Sequence, residues 1–186
     1  ALKLWETLEP QLKEQGAEKL FREVDLPLVT VVADMEETGI KVDVPFLQKL
    51  KVQFEKELKE IETRILAQSS NKAMNLNSPK QLAQFLFEEL KLPVQSKTKT
   101  GYSTDASVLA ALANLHEVPR MLLEYREISK LNGTYVGPLQ ELRDPHDSRI
   151  RTSFHLTGTA TGRLSSSDPN LQNIPTRTKR GMMIRQ

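Results

Sequence analysis

The sequence predicts an α+β fold that is mainly α-helical, with a long-helix unit followed by the first antiparallel strands of a sheet. Apolar residues recur three or four apart through residues 45–65, which is typical of a long amphipathic helix. Further helix signals follow between residues 78 and 135. Towards the C-terminal end, apolar and polar side chains alternate as in a half-buried strand, with apolar or small positions at Ile150, Thr152, Phe154 and Leu156.

The long helix is predicted to begin after Asp43, a capping residue, with Pro45 in its first turn, where a missing amide hydrogen is tolerated. A second helix is predicted to begin at Ser78-Pro79-Lys80-Gln81. This tetrapeptide combines an N-cap, a proline at the first helical position and a glutamine at the capping-box position.

Two more helices complete the predicted helical unit. The third begins at Ser103 or Thr104 and runs through Leu115. The fourth runs from Pro119 through about Tyr135, and the Gly-Pro pair that follows is expected to end it.

The segment before the long helix is also predicted to be helical. Apolar positions between residues 4 and 23 indicate a short helical lead-in that Pro10 and Gly16 interrupt. The apolar run at residues 26–33 continues towards Gly39, which is placed like a helix C-cap.

Residues 92–103 have almost nothing to bury. They mix proline, glycine, serine and threonine with two lysines, so we expect a mobile, exposed loop.

Composition narrows the class of protein. None of the 186 residues is a cysteine, which excludes disulfides and thiolate metal sites and fits a cytoplasmic location. No stretch approaches the ~20 apolar residues of a membrane span, so no membrane partner is expected. Residues 143–186 carry eight basic and three acidic side chains, a net charge of +5. This basic end is a candidate for a polyanion partner, although an unevenly charged, solvated surface explains it equally well.

The most specific stretch lies near the C-terminal end. It reads Thr-Ala-Thr-Gly-Arg-Leu-Ser-Ser-Ser-Asp-Pro-Asn-Leu-Gln-Asn-Ile-Pro over residues 159–175, with Arg177 just beyond. This run resembles the TATGRLSSxDPNLQNIP signature of family A DNA polymerases of the bacterial DNA polymerase I type, and it is far longer than a chance match. Similarity upstream at residues 75–82 and 124–135 extends the resemblance over essentially the whole chain.

The resemblance implies a polymerase thumb followed by the first palm segment. Residues 1–24 would be the end of an exonuclease-type domain or a linker helix, and residues 25–44 a pre-thumb palm segment. Residues 45–142 would form the helical thumb, and residues 143–186 the start of the palm.

The resemblance also implies a portion of a template-directed DNA polymerase that grips primer-template DNA through phosphate and minor-groove contacts. All four base pairs present minor-groove acceptors at purine N3 and pyrimidine O2, so donors there check pair geometry without reading sequence. The expected DNA-binding residues are Lys97, Lys99, Ser103, Arg126, Lys130, Thr134, Arg163, Ser165, Ser166, Asn170, Gln172, Asn173 and Arg177.

Plainer alternatives exist for several of these residues. Arg126 and Lys130 are four residues apart and lie on one face of a helix. Their spacing alone favours a solvated, charged face, and only the resemblance favours contact with phosphate. The asparagine and serine side chains of residues 159–177 could instead cap the backbone of their own loop.

No catalytic residue is expected in this chain. Phosphoryl transfer by a polymerase requires carboxylates that hold two divalent ions. In the family, the first of these carboxylates follows shortly after the Asn-Ile-Pro segment. We therefore expect Mg²⁺ and deoxynucleoside triphosphates to act in the complete enzyme, with the metal ligands outside this chain. The remaining palm and fingers would be a continuation or a separate chain, and this chain alone is expected to be inactive.

Other metal chemistry finds little support. Asp34-Met35-Glu36 follows an apolar run and could begin a two-metal exonuclease site, but no supporting aspartates follow, so a structural role is preferred. The three histidines lie far apart in the sequence, and no metal site is predicted from them.

Two other functional classes stay open. An autonomous, sequence-independent DNA-binding module would share the duplex binding without catalysis. A helical scaffold for a protein partner would need an exposed apolar stripe, whereas the stripes here are expected to be buried by the helices' own packing.

Overall fold

A computed structural model of the chain describes residues 2–98 and 101–186, and its fold is the predicted α+β type, mainly helical. The α-helices are α1 Leu2–Glu14, α2 Glu18–Leu20, α3 Leu26–Thr38, α4 Val44–Gln68, α5 Pro79–Ala83, α6 Ala106–Leu112, α7 Glu117–Leu131, α8 Gly137–Glu141 and α9 Lys179–Met183. The strands are β1 Ile40–Lys41, β2 Lys97–Thr98, β3 Gly101–Tyr102, β4 Arg149–Ile150, β5 Ser153–His155 and β6 Ser165–Ser167. π-Helical turns occupy Phe21–Asp25, Gln84–Glu89 and Asn132–Val136.

The strands form three antiparallel pairs, β1 with β4, β2 with β3, and β5 with β6. Contacts group the chain into two compact units. The first unit combines the chain up to Asp43 with Glu141–Ile174, and the second combines Val44–Gln140 with Pro175–Gln186. The division into an exonuclease end, a pre-thumb segment, a thumb and a palm start stays a prediction.

The second unit, which we call the helical unit, is built on the packing of α4 against α7. The predicted apolar stripe of α4 is buried as expected, at Leu47, Leu50, Phe54, Ile61 and Ile65. α7 also has a buried apolar stripe, at Val118, Met121, Leu122, Tyr125, Ile128 and Leu131. Burial of large apolar side chains is the main source of folding free energy, so this seam is the core of the unit.

At the start of α5, the predicted N-cap at Ser78 is confirmed, but the predicted capping box is not formed. Ser78 Oγ accepts from the Gln81 N–H at 3.5 Å, as an N-cap should. Gln81 does not complete a capping box, because its side-chain Oε1 accepts instead from the Asn75 N–H at 2.7 Å. The chain before the helix folds back over the first turn and supplies a nearer donor.

The third and fourth helices begin at residues other than those predicted. Asp105, rather than Ser103 or Thr104, caps α6. The imidazole of His116 caps α7 by accepting at Nδ1 from the Val118 N–H at 3.1 Å. Pro119 therefore lies inside the first turn of α7, where amide hydrogens have no partner within the helix.

Two other local predictions need correction. The Gly137-Pro138 pair does not end the helical path but begins α8, because a proline in the first turn of a helix gives up no hydrogen bond. Residues 92–103 contain the paired strands β2 and β3, and the Tyr102 ring packs edge-on against Phe87 with centroids 5.3 Å apart. The described residues 93–97, 101 and 102 are exposed, as expected, whereas the short strand pair was not predicted.

In the first unit, Gly39 ends α3 as predicted. Its φ of 63° lies in the left-handed region, and a Cβ there would meet the Ile150 carbonyl oxygen at 2.7 Å. The close approach lets β1 pair with β4, with Ile40 opposite Ile150. The predicted interruption at Pro10 is wrong, since α1 runs through it.

Apolar exposure differs between the two units. The stripes of α4 and α7 are buried as expected, whereas α3 buries Val32 and exposes Val29, Val31 and Met35. The expectation that helical packing would bury the apolar stripes therefore fails for α3. Within the described residues, none of the helices is both long and apolar enough to cross a membrane.

Within the helical unit, the guanidinium of Arg180 links α9 to α4 and α7. Arg180 donates to Glu57 Oε2 at 2.9 and 3.1 Å and to Glu124 Oε1 at 2.6 Å, and its Nη1 lies 3.5 Å from Glu127 Oε2. One cation thus balances three carboxylates from α4 and α7, with about a quarter of its side chain exposed (28 %).

Replacing Arg180 by Met should lower the free energy of unfolding by about 1–2 kcal/mol, because charge-assisted bonds are lost and three like charges remain together. Urea unfolding followed by circular dichroism measures the change. Lys179→Met is the matched control on the exposed neighbouring position and should change stability little. Equal losses in the two variants would contradict a role for the carboxylate contacts.

Candidate nucleic-acid interface

The signature segment of residues 159–175 lies in the first unit on a two-stranded ribbon. β5 pairs with β6 in the register Ser153–Ser167, Phe154–Ser166 and His155–Ser165. The connection between the strands turns back closely, since a Cβ on Gly158 would lie 2.1 Å from Ser165 Oγ. A larger residue at this position would require the Ser165 side chain to move, so glycine fits here because of space rather than φ.

Arg163 lies on this connection, just before β6, and is exposed. Its carbonyl oxygen accepts from Thr159 Oγ1 at 2.7 Å, which fixes the backbone. Its guanidinium has no hydrogen-bond or ion-pair partner within the described part of the chain. The side chain is thus presented outwards from a fixed base.

The polar side chains that follow Arg163 hold their own loop. Asn170 Oδ1 accepts from the N–H groups of Gln172 and Asn173 at 3.1 and 3.2 Å. Gln172 Nε2 donates to the Leu164 carbonyl oxygen at 2.7 Å. These contacts match the alternative in which the side chains cap their own backbone. DNA contact by the same residues stays a prediction.

The serines of β6 differ in exposure. Ser166 is buried, and its Oγ accepts from the Leu171 N–H at 3.2 Å. Ser165 is half-buried. The buried Thr152 ties the loop to the ribbon by donating from Oγ1 towards the carbonyl oxygens of Ser167 and Pro169, at 2.9 and 2.7 Å. Sequence reasoning missed Thr152, which looked like an ordinary strand residue.

In the helical unit, successive positions of one helical face have different environments. Lys130 and Thr134 are exposed, four residues apart. Arg126 is half-buried, and its guanidinium donates from Nη1 to the Thr104 carbonyl oxygen and lies 3.4 Å from Thr104 Oγ1 through Nη2. Burial lowers the pKa of Arg126, and the charge of Asp105 opposes that shift.

The remaining predicted contacts are spread over short segments. Arg177 is exposed and precedes Thr178, whose Oγ1 caps α9 by accepting from the Gly181 N–H at 3.1 Å. Lys97 is exposed, with its ammonium 5.7 Å from the centre of the Tyr102 ring. Ser103 is buried. The predicted contact at Lys99 falls outside the described residues.

Asp105 is the polar residue that the sequence reading overlooked in this region. Its carboxylate accepts from the Val108 N–H at 2.9 Å and from the hydroxyls of Ser107 and Ser103, each at 2.8 Å. These bonds, with that of Val108 the largest influence, lower its pKa from 3.8 to about 2. The signal was available, because aspartate is as good an N-cap as serine.

Carboxylates do not assemble a metal centre within the described residues, where no group of three or more histidine, aspartate or glutamate side chains is placed to hold an ion. Glu36 has a structural role, as the sequence favoured, because its Oε1 accepts from the Phe154 N–H at 2.6 Å.

Comparison with known proteins identifies the family. Residues 44–186 match the model of DNA polymerase family A. The chain belongs to this family. The resemblance seen in the signature segment is thereby confirmed.

Relatives within family A match nearly the whole chain. DNA polymerase I of Bacillus subtilis is 45 % identical over 183 residues, which is 98 % of this chain and 21 % of that protein. The thermostable DNA polymerase I of Thermus thermophilus is 47 % identical over 189 residues, 100 % of this chain and 23 % of that protein. The chain thus spans about a fifth of the length of these relatives.

A solved family A structure shares the fold. The POL domain of Pol1 from M. smegmatis, in complex with DNA primer-template and dNTP, superposes with a TM-score of 0.84 at 39 % identity. The match covers 99 % of this chain and 32 % of that one. The mainly helical α+β fold is therefore that of a polymerase domain segment.

The cap at Asp105 predicts a pH effect. A lowered pKa means that the ionised carboxylate stabilises the fold above pH 3.8 and that this contribution is lost as the pH falls towards 2. Asp105→Ala should therefore unfold at lower urea than the parent at neutral pH. The gap between the two midpoints should shrink from about pH 4 to about pH 2; a constant gap would contradict the assignment.

Proposed function

We propose that this chain is the portion of a template-directed DNA polymerase that grips primer-template DNA through phosphate and minor-groove contacts. Membership of DNA polymerase family A over residues 44–186 is the observation that carries the proposal. The mycobacterial neighbour was solved with primer-template DNA and dNTP, which supports both as partners of the complete protein.

In this proposal the complete protein is a DNA-directed DNA polymerase, and the 186-residue chain alone does not extend primers. Phosphoryl transfer requires two ions held by carboxylates, and the described residues offer no such cluster. The ligands for Mg²⁺ would therefore come from elsewhere in the complete protein, as would the remaining palm and fingers. A cytoplasmic location belongs to the same proposal, since the relatives are bacterial enzymes.

The exposed cations suit a grip that is independent of base sequence. Lys130 on α7 and Arg177, which lies just before α9, are exposed in one unit and fit phosphate groups, whose charge is the same at every step of a duplex. Arg163 fits the minor groove, because a guanidinium can donate to the N3 or O2 acceptor of any correct pair. The loop around it supplies a base stiffened by side-chain hydrogen bonds.

Lys130→Ala should weaken duplex binding by the chain about equally for all sequences. It should also flatten the plot of log affinity against log salt by roughly one, because one phosphate contact no longer releases a counterion. Fluorescence anisotropy with several primer-template duplexes measures both effects. Lys49→Ala, an exposed lysine of α4 outside the predicted set, is the control and should leave the slope unchanged.

Arg163→Ala in the complete polymerase should slow extension of matched primers about ten- to hundredfold, the ~1–3 kcal/mol of a well-placed base-edge contact, and change primer affinity much less. A primer whose terminal purine is the 3-deaza analogue lacks the acceptor. That analogue should slow the parent enzyme and add little to the defect of the variant.

The outcome also separates two roles for Arg163. If the analogue slows both enzymes by the same factor, Arg163 does not donate to the minor groove and acts as an anchor of its loop. If the complete polymerase binds primer-template DNA but extends no primer at all, the alternative of a DNA-binding module without catalysis is the correct one.

A further inference from the structure

The environment of Arg126 is unlike that of the exposed cations in the predicted DNA-binding set. The guanidinium is half-buried and directs Nη1 at the carbonyl oxygen of Thr104 and Nη2 at its hydroxyl oxygen. Burying a cation is unfavourable unless polar partners replace water, and here the backbone of a distant segment provides them. Lys130, one turn further along α7, is exposed by contrast.

The strands β2 and β3 form a short ribbon. The residues that flank it, Ser96 on one side and Ser103 and Thr104 on the other, are called its stem. Ser103 and Thr104 are each only 5 % exposed. The Ser103 N–H donates to the Ser96 carbonyl oxygen at 3.0 Å, which closes the stem. Ser103 Oγ donates to Asp105 Oδ2 at 2.8 Å and joins the stem to the start of α6. Arg126 therefore links this stem to α7.

The two strands of the ribbon contribute little stability by themselves. Its strands are two residues long, and an isolated two-stranded pair is marginal in water. The Tyr102 ring packs on Phe87, and the ammonium group of Lys97 lies over the Tyr102 ring. The orientation of the ribbon, and with it the place where Lys97 is presented, therefore depends on its contacts with neighbouring elements, which are the Phe87 ring and the stem.

We propose that Arg126 is a positioning residue that fastens the stem of the β2–β3 ribbon to α7 and so presents Lys97 to the duplex, rather than a phosphate ligand. The proposal rests on the proposed function for its DNA contact, while the fastening itself does not. A guanidinium suits this role, because two of its nitrogen atoms, held in one plane, each face a different oxygen of Thr104.

A double-mutant cycle distinguishes positioning from direct contact. Arg126→Ala and Lys97→Ala should each flatten the salt dependence of duplex binding by about one, and the double variant should lose no more than either single one. If Arg126 contacts phosphate by itself, the double variant loses about two, which would overturn the proposal. Lys130→Ala combined with Lys97→Ala is the matched control and should be additive.

Amide hydrogen exchange tests the fastening without DNA. In the 186-residue chain, Arg126→Ala should accelerate exchange of the Ser103 amide at least about tenfold, because loss of the stem contact frees its bond to Ser96. Lys130→Ala should leave that rate unchanged. Arg126→Met keeps the aliphatic part of the side chain and should behave like Arg126→Ala. This variant is the control for a general loss of packing.

The two measurements fail in different ways. An unchanged Ser103 rate in both Arg126 variants overturns the fastening, whatever happens with DNA. If the parent chain binds no duplex at any salt concentration, the proposed function and the presentation of Lys97 are both wrong, and the exchange rates still decide whether Arg126 holds the stem.

Discussion

The helical unit depends on one contact, the apolar seam between α4 and α7. Phe54 on α4 and Leu122 and Ile128 on α7 have no solvent exposure at all, so the two helices cannot slide or rotate without losing that burial. The seam fixes where the polar side chains of both helices point. Arg180 can bridge α4 and α7, and Arg126 can reach the stem before α6, because their partners are held at constant positions.

Cations that look alike in the sequence have different environments in the structure. Arg126 and Arg180 are partly buried and engaged by oxygen atoms of the chain itself. Lys130, Arg163 and Arg177 are exposed, and the described residues give none of them an ion-pair partner. A cation that is bonded to oxygen atoms of the chain stabilises the fold, whereas an exposed cation is available to bind a polyanion. This division underlies both the proposed grip on DNA and the proposed role of Arg126.

Local signals predicted the elements better than their ends. The buried stripe of α4 and the stop at Gly39 follow from spacing and from backbone sterics, which act within a few residues. The starts of α6 and α7 were misplaced because several neighbouring residues could cap them, and the choice of Asp105 and His116 was made by the packing around each terminus. The ribbon that contains Lys97 was missed because two-residue strands leave no periodicity.

The sequence by itself determined the family, the helical character and the signature segment that carries six of the thirteen candidate DNA contacts, because a long signature and a three-to-four-residue period are properties of the chain alone. Tertiary structure decided which partners the candidate side chains have within the chain. Asn170 and Gln172 serve their own loop, and Arg126 turns to Thr104. Spacing fixes the face of an element on which a side chain lies, but its partner comes from residues that only folding brings near.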